Sequence, residues 1–243
     1  MVSIIDAIII ILLLFGAVVG FKVGVIKSAV SFLGTLLIIF LAFQLKNPIS
    51  EFLYLHLPFF NFGGELAGVT VFNILIYEGI AFLIVFTILE VLLKVVVFAS
   101  GILESLLRLT IVFGLFSKIL GLFFGFIEYY VIIFAGLFML NCFSNTAFLI
   151  KDSSFATNIL NNTPVLTEQF KEPKAAIDEI LDLSNTYKND KEGYNAKAFE
   201  ILIKYNIISQ DQAEKLISKK KIEIPNAQSI LENFKNQVSE KNS

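Results

Sequence analysis

Gly16-Ala17-Val18-Val19-Gly20-Phe21-Lys22-Val23-Gly24-Val25-Ile26-Lys27 sets two lysines between two of the most apolar runs in the chain. A lysine at the centre of a bilayer is costly, whereas one at its cytoplasmic edge is tolerated and sets orientation. The stretch therefore reads as a tight cytoplasmic turn joining two membrane-spanning helices.

Working outward, a helix needs about 20 apolar residues to cross the hydrocarbon core. Windows at roughly 4 to 21, 28 to 45, 69 to 98 and 111 to 141 meet that requirement. The first carries only Asp6, at its start, and the second carries no charge. The third is long enough to tilt or to project from the bilayer; it holds Glu78, Glu90 and Lys94, and the fourth holds Lys118 and Glu128.

Composition agrees. Of 243 residues 56% are hydrophobic, and the mean hydropathy of +0.77 is more than one soluble core requires. Only 6 of the 19 basic and 7 of the 21 acidic residues precede Ser144. The fold expected is thus all-α and polytopic, with a transmembrane domain over 1–143 and a polar helical tail over 144–243. No basic excess points to nucleic acid. The single Cys142 can form neither an internal disulfide nor a metal cluster. The start, Met1-Val2-Ser3-Ile4-Ile5-Asp6, lacks a basic region and reads as a retained span rather than a cleaved signal.

Lysine and arginine in short loops collect on the cytoplasmic side. Lys22 and Lys27 lie in the first connection, and Arg108 and Lys118 with Lys94 flank the third. The opposite side has Lys46 and His56, set against Glu51 and Glu65. Both termini are therefore expected on the periplasmic side of a bacterial inner membrane. The intervening loop, from Asn47-Pro48 to Gly63-Gly64, is dense in aromatics and reads either as an interfacial or re-entrant segment or as a loop packed over the bundle end. A lone interfacial His56 reads as a passive surface residue.

In the tail, helices are expected from Pro173 to Asn185, Asn195 to Asn206, Ser209 to about Lys219 and Pro225 to about Glu240. Ser209 and Gln212 have capping-box spacing. Asn161-Asn162-Thr163, followed by Pro164, reads as a turn. Such a tail forms either a small helical unit or amphipathic helices for a partner or the membrane surface, and its own core is small.

Gly16, Gly20 and Gly24 repeat at four-residue spacing, as do Gly121 and Gly125. Small residues in that pattern let helix backbones approach closely in lipid, within the bundle or between protomers of a homo-oligomer. Intramembrane charges mark either function or helix pairing. Glu90 and Lys94, at i and i+4, have the order that favours a helical ion pair. Glu128, midway along the fourth span, and Glu78, nearer the opposite surface, are the candidate polar site. No H-E-x-x-H, C-x-x-C, G-x-S-x-G or Walker A pattern is present, so neither an enzyme nor a cofactor is expected.

Asp6, the turn Gly20-Phe21-Lys22-Val23-Gly24, then Lys27, Ala29 and Ser31 resemble the opening of the colicin V production protein (CvpA) family. Lys118-Ile119-Leu120-Gly121-Leu122-Phe123-Phe124-Gly125 resembles that family's later basic-x-Leu-Gly-x-x-x-Gly segment. The likeness covers residues 1 to about 143 and implies four spans. The family's turn usually has arginine, where this chain has Lys22 and Lys27. Where the family often has Arg-Gly, this chain has Glu128-Tyr129, which reverses the charge. Some relatives fuse a periplasmic protease to this unit, but the present tail shows no protease motif. The resemblance implies a bacterial inner-membrane protein needed for production or export of a secreted peptide toxin and for envelope maintenance. On that basis the chain reads as a scaffold that packs through its glycine faces and docks an envelope partner through its tail. The alternative is a small oligomeric transporter or channel lined by Glu128 and Glu78.

Overall fold

The computed structural model describes residues 3–61, 68–107, 111–141, 150 and 152–241. Among these the regular elements are helices: α1 (Ile4–Val23), α2 (Val25–Leu45), α3 (Asn47–His56), α4 (Phe72–Leu107), α5 (Ile111–Asn141), α6 (Ser154–Asn162), α7 (Pro164–Gln169), α8 (Lys171–Thr186), α9 (Lys191–Lys204), α10 (Gln210–Ser218) and α11 (Ala227–Lys241). Four stretches are long and apolar enough to cross a membrane: Ile4–Val23, Val25–Leu45, Phe72–Phe98 and Gly114–Asn141. At 36 residues, α4 is roughly 54 Å long and exceeds a bilayer core.

The chain divides into two compact units, Met1–Gln44 with Ile84–Gln169, and Leu45–Leu83 with Phe170–Ser243. This division differs from the compositional boundary at 143/144, which itself lies outside the described residues. It has a physical reason: the tail helices bury their apolar faces in one core with Tyr54 of α3 and Phe72, Ile74 and Tyr77 of α4.

In the first unit α1 packs along α5. Ser3 and Asp6 form a capping box at the start of α1. Gly24 ends the helix with φ at +89°, a region that favours glycine. Its N–H donates to the Gly20 carbonyl at 2.9 Å, and its own carbonyl accepts from the Ser28 N–H at 3.1 Å, so α2 starts without a linker. α6, absent from the sequence expectation, begins at the N-cap Ser153 and buries Ala156, Ile159 and Leu160, one face of a helix. The expected turn at Asn161-Asn162-Thr163 is a helix corner: α6 runs through Asn162 and α7 begins at Pro164.

In the second unit the aromatic-rich loop contains a helix, α3, with a proline in its first turn, where the missing N–H costs nothing. Its Tyr54 is fully buried with Phe72 and Tyr77 of α4 and Phe199 and Leu202 of α9. Each such side chain contributes about 1.5–3 kcal/mol on removal from water. α10 opens on a capping box in which Ser209 and Gln212 bond each other's backbone N–H at 3.2 and 2.8 Å. Asn195 of α9 fixes the segment before α4: its amide oxygen accepts from the Thr70 and Val71 N–H groups at 3.0 and 3.3 Å, and its nitrogen donates to the Gly68 carbonyl at 2.9 Å.

Candidate functional site

Two polar groupings stand out, one in each unit. In the first, Ser31 and Thr35 lie one turn apart on α2 and so share a face. Ser31 Oγ donates to Glu128 Oε1 of α5 at 2.6 Å, and Thr35 Oγ1 donates to Glu90 Oε1 of α4 at 3.0 Å. Two carboxylates thus meet one ridge of α2 on consecutive turns. The expected pairing of Glu90 with Lys94 is replaced: among the described residues no ion pair joins them, and Lys94 is exposed. The Thr35 hydroxyl on the neighbouring helix takes the place expected of Lys94 as the partner of Glu90.

In the second unit Lys46, at the junction of α2 and α3, forms a buried ion pair with Glu78 of α4. The ammonium also donates to the Ile207 carbonyl and to Asn47 Oδ1, both at 3.2 Å. Gln212 Nε2 donates to the Asn47 carbonyl at 3.1 Å and to the Ser50 hydroxyl at 3.3 Å. Burial pushes the nearby Tyr54 hydroxyl well above the usual phenol range, and the Glu78 and Glu51 carboxylates push it further. It therefore stays protonated. The arrangement suits holding the tail against α3 and α4. Glu78 and Glu128, grouped in the sequence reading, belong to different compact units.

The glycines come together between α1 and α5. A Cβ added at Gly20 would stand 2.8 Å from the Gly121 carbonyl carbon and 2.9 Å from the Gly125 Cα, and one at Gly121 would meet Gly24 backbone at 2.8 Å. One at Gly16 would strike the Tyr129 ring at 2.5 Å. Beside this seam Lys118 Nζ stands 5.7 Å from the centre of the Phe21 ring, a cation–π contact. Lys22 is exposed and Lys27 half-buried. Arg108 and Cys142 lie outside the described residues, as do Phe62 and Glu65. His56 is exposed on α3, stacked on Phe52.

Several structurally engaged residues escaped the sequence reading as sites. Ser117 Oγ accepts from the Val25 N–H at 3.0 Å, pinning the first turn of α2 to α5. Asp6 accepts from the Ser3 and Phe155 N–H groups, at 3.0 and 3.1 Å, and from the Ser153 hydroxyl. It thereby caps α1 and ties it to the start of α6. The Ser3-x-x-Asp6 spacing was the available signal; nothing local announced Ser117. Among the described residues no three His, Cys, Asp or Glu side chains converge as a metal site would need.

Four helices long and apolar enough to cross a membrane, with Glu128 and Glu90 bonded to hydroxyls of a neighbouring helix, define a multi-pass helical membrane protein. Residues 5–164 match the model of the colicin V production protein family, and the chain belongs to that family. It is 30% identical over 172 residues to the uncharacterized transmembrane protein YshB of Bacillus subtilis (strain 168), a match that covers 69% of this chain and 95% of the relative. No solved structure matches. The family match thus takes in α1 to α6 and stops before α8 to α11.

Proposed function

We propose that the protein is a non-catalytic accessory of the bacterial cytoplasmic membrane, a scaffold for production or export of a colicin V-like toxin and for envelope maintenance. One observation carries this reading. Among the described residues Glu128 bonds Ser31, Glu90 bonds Thr35 and Glu78 pairs with Lys46, each within its own unit, as expected of groups that pair helices. The tail is the part proposed to dock an envelope protein. The test is reconstitution: the purified protein alone in liposomes is expected to move no solute, and solute flux would overturn the scaffold reading.

The proposed orientation has both termini on the periplasmic side. Lys22, Lys27 and Lys118 gather at the α1–α2 turn and the start of the α5 span, while Lys46 on the opposite side is neutralised by Glu78, which leaves the charge bias to the first group. The Asp6 bonds to Ser153 and Phe155 favour an even number of crossings between them. With Cys142→Ser and a cysteine at Ser243, an impermeant thiol reagent is expected to label intact cells. Labelling only after lysis would reverse the assignment. The competing reading, an oligomeric transporter using Glu128 and Glu78, draws on the polar ridge of α2 and predicts that Glu128→Gln abolishes function.

A further inference from the structure

One face of α3 is already covered. Ser50 and Tyr54, one turn apart, are fully buried in the second unit; Gln212 donates to Ser50, and Lys215 pairs with Glu51 at 2.6 Å. The other face is bare. Pro48, Phe52 and His56 follow one another at four-residue spacing and are exposed, Phe52 at 58% with its ring stacked 4.4 Å from that of His56. Leu57 and Phe60, at 40% and 54% exposure, continue the apolar surface past the helix end. A contiguous apolar stripe of this kind marks an interaction surface.

Chain continuity identifies the occupant. Leu45, two residues before α3, ends one membrane span, and Phe72 begins the next. Consecutive spans joined by a connection this short leave and re-enter the same surface of the bilayer, so both ends of the α3 segment are held at that surface. Among the described residues Lys46 pairs with Glu78 and Glu51 with Lys215, while Lys221 Nζ donates to the Leu57 carbonyl at 3.3 Å. We infer that α3 lies in the membrane plane, with Phe52, Leu57 and Phe60 seated at the boundary between lipid headgroups and acyl chains and its Ser50–Tyr54 face turned toward the tail helices. Seating rests on the aromatic and apolar burial of the stripe. This placement is independent of the scaffold reading.

The chain contains no tryptophan and seven tyrosines, so Phe52→Trp gives the full-length protein a single tryptophan at an exposed position, excited selectively at the red edge of the absorption band. In phosphatidylcholine vesicles, lipid brominated near the headgroup end of its chains is expected to remove most of the emission. Bromine near the methyl end should remove less, and aqueous acrylamide little. Asn189→Trp, exposed between α8 and α9, is the water-facing reference, quenched by acrylamide and not by brominated lipid. Phe60→Trp repeats the measurement if Phe52→Trp fails to fold. Three outcomes overturn the proposal: emission at the stripe that behaves like the reference, shielding from both quenchers, which would mean a protein covers it, or stronger quenching from the methyl end, which would mean a re-entrant segment.

Discussion

Lys46 and Glu78, separated by 32 positions in sequence, form a buried ion pair, and the same ammonium reaches the Ile207 carbonyl 161 positions further along the chain at 3.2 Å. One side chain therefore joins the end of α2, the second turn of α4 and the tail.

Lys46→Met leaves the Glu78 carboxylate buried and unpaired, which is expected to cost about 3–5 kcal/mol. The double variant Lys46→Met with Glu78→Leu removes both charges and should recover most of the loss. Thermal melting in detergent, with protease sensitivity of the tail as a second readout, checks this. Equal losses in the single and double variants would show that the pair carries no electrostatic role.

The α1–α5 seam predicts a contrast between glycines. Gly20→Ala drives a methyl group into the Gly121 and Gly125 backbone and should destabilise by about 1–3 kcal/mol. Gly136→Ala meets nothing within 4 Å and should be neutral or stabilise by up to about 1 kcal/mol through helix propensity. Melting temperatures of the two variants that coincide would contradict the close approach.

Glu128→Gln keeps an acceptor for Ser31 and is expected to preserve both fold and toxin-related phenotype. Glu128→Leu leaves the Ser31 hydroxyl without it, at about 0.6–1.7 kcal/mol. A complementation assay of a deletion strain decides the matter, since loss of function in a stably inserted Glu128→Gln protein would favour the transporter.

Asp6→Ala removes an acceptor shared by two helix starts. At about 1 kcal/mol per cap, a loss of about 2 kcal/mol is expected, with earlier deuterium exchange at Phe155 and Ala156. Protection unchanged at α6 would show that the contact with α1 is dispensable.

The four spans were legible because length and apolarity are local properties, and the glycine spacings lie where α1 and α5 approach, a partner that spacing alone does not name. Glu90 shows the limit. Its favourable spacing to Lys94 was visible, but the group that bonds it, Thr35, lies 55 positions away and no periodicity connects them. α6 was readable in principle from Ser153, Ala156, Ile159 and Leu160, yet the surrounding serines and asparagines masked a short apolar stripe. α3 was hidden by its aromatics, and the tail's core looked too small because Tyr54, Phe72 and Tyr77, which complete it, precede it by the length of two spans.

That last arrangement sets an order of events during synthesis. Segment 45–83 leaves the ribosome and enters the membrane while Phe170 and everything after it is still untranslated. Tyr54, Phe72 and Tyr77 must wait, uncovered, through the insertion of α5. The Phe199 and Leu202 face, and the α10 and α11 residues that follow it into the same core, are made only after α5, so the second unit closes late in synthesis.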